Sequence, residues 1–395
     1  MVHWNGEEKD RPTGNGTSRY GEHSFEVPIG EIKFLPEGIR SSEDPGLTNE
    51  FKVDIDVLMS RTSFGTGCWA TGILWVAVEF DAARPYVFVN GVGADGSTWA
   101  QKNAPGVLNE MEKSGVRYRV VPVDGRGSVL DNARSLQDQV QAFLDEIGSN
   151  QVHIIAHSKG GLDAQGLAWL RPPFEIVSLS TLSTPHLGSV VADLTVIRST
   201  AIEHLAADGA DPDGLASGWV NSVLGGFGSN QLGLGPQFPA LLDLTTWAAR
   251  DALTHGMRGN VPTTLLFAAD ADLNSNDKLD SSGPDEIRPL FPLVAYPIAR
   301  ASWELMRRYS SAGIVGTDTI RRCTGGEDVT CEWVPVLRYT LTPGGDANDI
   351  VVTVTSAMPE QFTAARRMGV RKANHSTVKH FQTIRRILES TIPMR

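Results

Sequence analysis

The sequence has few cysteines, no long apolar run and no excess of basic residues, and each shortage excludes a class of protein. Every apolar stretch falls short of the roughly 18 residues that a transmembrane helix needs, so no membrane span is predicted. The 35 basic and 46 acidic residues give a net charge of −11, and no Lys/Arg stripe marks a nucleic-acid surface. With 41% hydrophobic residues, the composition is that of a globular protein with a large core.

The three cysteines and the N-terminal residues bear on the cellular compartment. Cys323 and Cys331 bracket a turn-like loop and can pair across a hairpin, which favours an oxidising compartment. Cys68 lies in an apolar stretch and is interpreted as a buried free thiol. Residues 1–10 are polar and lack the apolar segment of a signal peptide. We therefore expect secretion with an earlier-removed signal, and a cytoplasmic protein is the alternative.

The middle of the chain alternates apolar β-type runs with amphipathic helical patterns, which predicts a mostly parallel sheet with helices on both faces. Predicted strands are Tyr86–Val89, Tyr118–Val121, Val152–Ile155, Glu175–Leu179 and Thr264–Phe267. Residues 1–50 are interpreted as an N-terminal extension with short strands. Residues 51–395 are predicted to form one α/β domain, in which Phe51–Val57 and Ile73–Phe80 are candidate antiparallel strands that open the sheet. Two insertions are expected, at about residues 192–260 and 274–340.

A nucleophile-elbow motif lies between the Val152–Ile155 strand and a helical pattern that begins near Leu162. The motif is AHSKG at residues 156–160, a variant of Gly-x-Ser-x-Gly. Small neighbours permit the sharp turn, and the helix N-terminus supplies N–H groups beside an oxyanion formed at Ser158. The alternative interpretation is an ordinary strand–turn–helix. Because the required strand and helix are both present, the catalytic interpretation is favoured.

A serine nucleophile needs a histidine base and a carboxylate that orients it. His375 stands in a loop directly before the last helical pattern and is the predicted base. His157 is constrained by its place in the elbow, and His186 is expected to pack and hydrogen-bond in its own loop. Two acids follow predicted strands. Asp349 is the predicted acid and Asp270 is the alternative.

Several motifs, taken in order, resemble the bacterial true lipases of the α/β-hydrolase superfamily, the triacylglycerol lipase type. The resemblance runs from Tyr86 to the C-terminus and excludes the first 80 or so residues. Its motifs are VNGV at 89–92, the elbow, STPHLGS at 183–189, LDLTT at 242–246, NDIVV at 348–352 with Ser356 and Ala357, and NHSTV at 374–378. It implies an α/β-hydrolase fold with a lid, a Ser158–His375–Asp349 triad and no redox or nucleotide cofactor. The backbone N–H groups of Val92 and Lys159 are the implied oxyanion donors.

Four positions depart from the pattern of these lipases. Asn90 replaces the usual histidine before the oxyanion glycine, and Thr377 replaces a calcium-binding aspartate. Lys159 stands where many relatives carry Gln, Met or His, and its side chain is expected to be solvated. Ile350 replaces a glycine after the acid, so a different local turn is expected.

Two segments have competing interpretations. Residues 270–280 alternate oxygen-bearing side chains at Asp270, Asp272, Asn274 and Asn276, which fits either a structural calcium site or a solvated acidic turn. The segment at about 192–260 is rich in small and apolar residues, which fits either a lid lining the acyl site or a rigid cap. The proposed lid residues are Trp219, Val223, Leu224 and Phe227.

The sequence thus predicts a serine carboxylic-ester hydrolase, a lipase or esterase, that forms an acyl-enzyme on Ser158. Its partner is an ester substrate, which is a lipid, a small ester or a polyester. A polyester depolymerase on the same fold and a hydrolase-like binding protein without turnover are the alternatives.

Overall fold

The computed structural model of the protein shows two compact units, and each is described separately. It describes residues 2–4, 7–10, 51–53, 60–62, 65–67, 84–92, 99, 104, 106–114, 116–200, 204–206, 239–257, 261, 263–277, 279, 296–324 and 330–391.

The smaller unit comprises Met1–Ala83, Met111–Arg117 and Ile392–Arg395. Its strands are β1 (Val2–Trp4), β2 (Glu7–Asp10), β3 (Phe51–Val53), β4 (Ser60–Thr62) and β5 (Gly65–Gly67). Strands β2, β1 and β3 form an antiparallel sheet, and β4 pairs with β5. The predicted strand at Phe51 therefore pairs with β1 rather than opening the large sheet. The candidate strand Ile73–Phe80 lies outside the described residues.

The larger unit comprises Arg84–Glu110 and Tyr118–Thr391 and contains the large sheet. The predicted domain boundary at Phe51 stays a prediction. The strands of the larger unit are β6 (Tyr86–Val89), β7 (Tyr118–Val121), β8 (Gln151–His157), β9 (Glu175–Leu182), β10 (His204–Ala206), β11 (Thr263–Asp270), β12 (Tyr309–Thr324), β13 (Thr330–Pro343) and β14 (Arg366–Lys372). Helix α1 (Val107–Ser114) has residues assigned to both units. The other helices are α2 (Val129–Ile147), α3 (Lys159–Trp169), α4 (Val190–Thr200), α5 (Pro239–Asp243), α6 (Thr246–Thr254), α7 (Tyr296–Arg308), α8 (Val354–Ala357) and α9 (Phe381–Thr391).

Six strands form the central sheet in the order β14-β11-β9-β8-β6-β7, and every neighbouring pair is parallel. Strand β8 lies inside the sheet and is buried from Val152 onward, because apolar side chains such as Ile154 and Ile155 face helices or neighbouring layers on both sides. The predicted α/β-hydrolase fold is confirmed by this sheet and its flanking helices. All six carboxyl ends meet at one edge, where loops from distant parts of the chain converge.

Helix α2 shows how the sequence specifies one covering helix. The Ser128 hydroxyl caps its first turn by accepting the Asp131 N–H, and Gly148 ends it with φ 70°, a conformation that favours glycine. Between these caps, side chains at spacings of three and four residues are buried against the sheet: Ala133, Leu136, Val140, Phe143 and Leu144. This buried face places α2 in the layer beside the elbow helix α3.

The second predicted insertion contains a long antiparallel hairpin, β12–β13. Strand β10 adds to β13 in parallel, so that β12 forms an edge of this second sheet. Cys323 and Cys331 face one another across the hairpin and are joined by a disulfide bond. Near its base the buried Asp193 carboxylate of α4 accepts the N–H of Ala312 and the N–H and hydroxyl of Thr246. This carboxylate therefore ties α4, α6 and the hairpin together.

Among the residues that the structure describes, no helix combines the length and apolar character needed to cross a membrane.

Candidate active site

Ser158 stands at the sharp turn between β8 and α3. Its backbone has φ 57° and ψ −133°, which a non-glycine residue rarely adopts and which only a well-fixed surrounding structure maintains. The Ser158 N–H donates to the Leu182 carbonyl of the neighbouring strand β9 at 3.0 Å. The turn therefore projects the serine side chain out of the strand at the carboxyl edge of the sheet, as a nucleophile elbow requires.

A continuous hydrogen-bonded chain links Ser158 to a histidine and a carboxylate. His375 Nε2 lies 2.9 Å from Ser158 Oγ, and His375 Nδ1 lies 2.9 Å from Asp349 Oδ2. Because the carboxylate only accepts, the proton belongs on Nδ1, which leaves Nε2 to accept from the serine hydroxyl. All three side chains are buried. The structure thus brings the three predicted triad residues together.

Backbone groups fix Asp349 and His375 relative to each other. The Asp349 Oδ1 atom accepts the N–H groups of Val351 and Val352, at 3.0 and 2.8 Å, which leaves Oδ2 for the histidine. The Asp349 carbonyl accepts the His375 N–H at 3.0 Å. The acid is therefore held by its own loop and contacts the base through both its side chain and its backbone.

Ile350, which stands where the lipases carry glycine, has an unusual backbone conformation. Its φ is 84°, in the region that favours glycine. Its side chain is buried in an apolar cluster with Ala271, Leu279 and Trp303. Burial of this side chain therefore accompanies a strained backbone, and the expected difference from the lipase turn stays a prediction.

Asp270, the alternative acid, has a different partner. Its Oδ2 atom accepts Lys372 Nζ at 2.7 Å, and Oδ1 accepts the Asp272 N–H at 3.1 Å. Its backbone carbonyl accepts the Ala373 N–H. Both carboxylate oxygens are thus used by Lys372 and by its own turn, and it is Asp349 that contacts His375.

The two aspartates predicted for a calcium site have protein partners. The Asp272 carboxylate accepts the backbone N–H groups of Asn276 and Asp277, and the Asp270 carboxylate faces the Lys372 ammonium group, which would repel a cation. Asn274 and Asn276 lie in the same turn. In the described stretches there is no cluster of three or more His, Cys, Asp or Glu side chains that could hold a metal. These contacts are compatible with an acidic turn, and calcium binding stays a prediction.

The two predicted oxyanion donors lie on segments that pack tightly beside the serine. Lys159 begins α3, so its N–H is one of those at the helix N-terminus without an intrahelical partner. Val92 follows Gly91, where an added Cβ would stand 2.6 Å from Ser158 Cβ. A Cβ on Gly160 would stand 2.4 Å from the Asn90 carbonyl oxygen. Only glycines therefore allow the loop after β6 to approach the elbow this closely.

The Lys159 side chain was expected in solvent, and this prediction is wrong. It is buried, and Nζ lies 2.6 Å from the equally buried Asp163 Oδ1, while Asn132 Nδ2 donates to Asp163 Oδ2 at 3.0 Å. Burial raises the pKa of Asp163 to about 7, against the opposing effects of Lys159 and Asn132. The i, i+4 spacing of Lys159 and Asp163 on α3 was the signal that could have predicted this pair.

The other histidines near the site have structural partners. His186 Nε2 lies 3.0 Å from Thr181 Oγ1, and Nδ1 lies 3.2 Å from Gln165 Oε1, so it bonds within its own region as expected. His157 Nε2 lies 2.6 Å from the His375 carbonyl oxygen. Sequence reasoning excluded His157 as a base and did not anticipate this contact.

The proposed lid residues Trp219, Val223, Leu224 and Phe227 lie outside the described residues, so the lid stays a prediction. The described parts of that segment are helix α4, strand β10 and helices α5 and α6.

No known protein-family model matches the chain. Two bacterial triacylglycerol lipases are similar to it over most of its length. The lipase of Burkholderia plantarii is 26% identical over 292 residues, which are 72% of this chain and 71% of the lipase. The lipase of Pseudarthrobacter phenanthrenivorans is 26% identical over 281 residues, 69% of this chain and 76% of the lipase. Triacylglycerol lipase 2 of Saccharomyces cerevisiae is 36% identical over 97 residues, 23% of this chain and only 30% of the yeast protein.

Among solved structures, a Bacillus licheniformis lipase in its mature form aligns with 81% of this chain. The alignment includes 96% of the lipase chain, with 16% identity and a TM-score of 0.48. A metagenomic carboxyl esterase covers 92% of this chain and 91% of its own, with 16% identity and a TM-score of 0.44. The predicted resemblance to triacylglycerol lipases is confirmed by the sequence relatives, and their similarity supports an enzyme that hydrolyses carboxylic esters.

Proposed function

We propose that the protein is a serine carboxylic-ester hydrolase that works through an acyl-enzyme on Ser158. The observation that carries the proposal is the chain of hydrogen bonds from Ser158 Oγ through His375 to Asp349. This is the arrangement that converts a weakly nucleophilic hydroxyl into an attacking group. The sequence similarity to triacylglycerol lipases supports ester substrates, either lipid or smaller.

In the first half of the reaction, His375 Nε2 takes the hydroxyl proton as Ser158 Oγ bonds to the ester carbonyl carbon. The carbonyl oxygen becomes an oxyanion, and the N–H groups of Val92 and Lys159 are its proposed donors. The imidazolium is stabilised by Asp349. His375 then gives its proton to the departing alkoxide as the carbon–oxygen bond breaks, which releases the alcohol.

In the second half, water enters and His375 takes a proton from it as its oxygen attacks the acyl carbon. A second tetrahedral oxyanion forms in the same place, and its collapse breaks the bond to Ser158 Oγ. The proton on His375 returns to that oxygen, and the carboxylic acid leaves. Every proton transfer in this mechanism passes through His375 Nε2, so the position of the ring matters. Two hydrogen bonds hold the backbone of His375, one from its N–H to the Asp349 carbonyl and one from His157 Nε2 to its carbonyl.

The test uses p-nitrophenyl butyrate and an organophosphonate ester with the wild type and Ser158→Ala. The wild type should release p-nitrophenol and gain one phosphonyl group per chain, found on the Ser158 peptide by mass spectrometry. The variant should lose both turnover and labelling. A wild type that releases no p-nitrophenol would favour the non-catalytic binding protein, and labelling that persists in the variant would assign the nucleophile elsewhere.

We also propose that the protein matures in an oxidising compartment. The support is the disulfide between Cys323 and Cys331 in the β12–β13 hairpin, because such bonds persist where thiols are not kept reduced. Mass spectrometry of the unreduced protein should find these two cysteines linked and Cys68 alkylated.

A further inference from the structure

His157, the residue before the nucleophile, contacts the base rather than the serine. Its ring nitrogen Nε2 lies 2.6 Å from the backbone carbonyl oxygen of His375. The two imidazole rings are tilted with centroids 4.8 Å apart, and both residues are buried. The contact joins the end of β8 to the loop that carries the base, across 218 positions of sequence.

The direction of this hydrogen bond follows from its acceptor. A carbonyl oxygen only accepts, so His157 must carry a proton on Nε2. Burial, Lys379 and His375 together lower the pKa of His157 well below its usual value of 6.5, so the ring is neutral and this is its single N–H group. Trp99 packs edge-on against the ring, and Lys379 Nζ lies over Trp99 at 5.5 Å. These neighbours restrict the orientation of the donor.

We infer that His157 is a positioning residue for His375, whose carbonyl it holds so that the imidazole meets Asp349 and Ser158 at the same time. The inference rests on the proposed function. The backbone of His375 is held at both ends, since its N–H donates to the Asp349 carbonyl and its C=O accepts from His157. Without the second contact only the N-terminal side of the residue is fixed. A displacement of the imidazole by about 1 Å is enough to lower turnover roughly 10²-fold.

The experiment compares kcat and KM of His157→Gln, His157→Asn and His157→Leu. Glutamine carries an N–H donor at a reach similar to Nε2, asparagine carries the same amide one methylene farther from the carbonyl, and leucine has no donor. We expect His157→Leu and His157→Asn to lose kcat by about 10²-fold, with KM within about threefold of wild type, and His157→Gln to stay within about tenfold. Because the wild-type ring is neutral, the loss should be constant from pH 6 to 7, below the pKa of about 8 to which burial lowers Lys379.

His153 supplies a matched control in the same strand. It is also buried and makes one side-chain hydrogen bond, to Ser178 at 2.6 Å, and we place it outside the site. His153→Leu should lower the thermal midpoint as His157→Leu does, but should leave kcat within about threefold of wild type. Equal kcat in these two variants, or a glutamine variant no better than the leucine one, would overturn the inference. If His157→Leu does not fold, the glutamine and asparagine variants decide.

A double-mutant cycle tests the route of the effect. If His157 acts by aligning His375 with Asp349, its loss should cost much less in an Asp349→Asn background than in the wild type. If the fold losses of kcat in the two single variants multiply in the double variant, the two residues act independently and the inference is contradicted. Phosphonate labelling of Ser158 in the wild type tests the proposed function separately, so a failure of one is distinguishable from a failure of the other.

Discussion

Two acids occupy adjacent loops at the carboxyl edge of the sheet, yet they have different partners. Asp270 ends β11 and Asp349 follows the hairpin, and the N–H of Ala271 donates to the carbonyl of Asn348, which joins the loops. Each acid also accepts, at its backbone carbonyl, an N–H from the segment that carries the base: Ala373 for Asp270 and His375 for Asp349. Both acids are therefore held by the same kind of backbone hydrogen bond.

The side chains make the difference between these two acids. Both acids are buried, but Asp349 faces a buried imidazole, whereas Asp270 faces the half-exposed Lys372 ammonium group. A carboxylate beside a neutral imidazole orients a proton acceptor, while a carboxylate beside an ammonium group makes an ordinary ion pair. Position in the fold alone does not distinguish the two acids, and the facing imidazole is what supports Asp349 as the proposed catalytic acid.

Replacing each acid by asparagine should give the largest contrast. Asp349→Asn removes the carboxylate that fixes the His375 tautomer, and kcat should fall on the order of 10⁴-fold. Asp270→Asn should leave kcat within about threefold of wild type. Steady-state kinetics on p-nitrophenyl butyrate would measure both, and the reverse pattern would exchange the roles of the two acids.

A second contrast concerns two Lys–Asp pairs of different burial. Lys159 and Asp163 are each 1% exposed at the side chain, whereas Lys372 is 45% exposed. Asp163→Asn leaves a buried ammonium group unpaired and should lower the free energy of unfolding by about 3–5 kcal/mol. Asp270→Asn should lower it by less than about 1 kcal/mol. Urea denaturation would compare them, with Lys159→Met/Asp163→Leu as a control that removes both charges. Equal losses at the two sites would contradict the role assigned to burial.

The smallest effect concerns Asp193, a buried acid whose contacts are N–H and O–H donors. Burial raises its pKa to about 6, although hydrogen bonds from Ala312 and Thr246 and the charge of Arg250 oppose the shift. Because the folded-state pKa exceeds the unfolded value of 3.8, the folded state binds more protons between these limits, and stability falls as pH rises through that window. Asp193→Asn removes this pH-dependent contribution to the free energy of unfolding.

The free energy of unfolding of Asp193→Asn, relative to wild type, should therefore rise between pH 4 and 7 by up to about 3 kcal/mol. Urea midpoints taken at half-unit pH intervals would show the slope. A difference that is flat, or that falls with pH, would mean that the hydrogen bonds outweigh burial at this carboxylate.

The sequence allowed the triad and most of the sheet to be predicted because each depends on local pattern. Strand β8 and helix α3 bracket Ser158 with β-branched and small residues, and His375 directly precedes a terminal segment with an apolar helical face. The choice between Asp349 and Asp270 stayed open, because a carboxylate's partner depends on how two distant loops meet.

Strand β14 was missed for a physical reason. Its sequence, RRMGVRK, has no apolar alternation, because it is an edge strand whose side chains are mostly exposed. Lys and Arg are common on edge strands, where they discourage pairing with other chains. The length of the β12–β13 hairpin was hidden similarly, by exposed polar residues and by Gly313 and Gly316. The burial of Lys159 required knowledge of helix α2, since Asn132 completes that network.

The wide sequence separations described above also determine when the site can form. The Ser158–His375 hydrogen bond spans 217 positions, and the bond between Tyr86 of β6 and Thr391 of α9 spans 305. Contacts between such distant residues make folding slow, because a long loop must close before any contact stabilises it. During synthesis the elbow and five of the six sheet strands emerge well before the segment from Arg366 onward, which carries β14, His375 and α9. A growing chain can therefore hold Ser158 on a partly assembled sheet, and under the proposed mechanism it becomes active only when this last segment has docked.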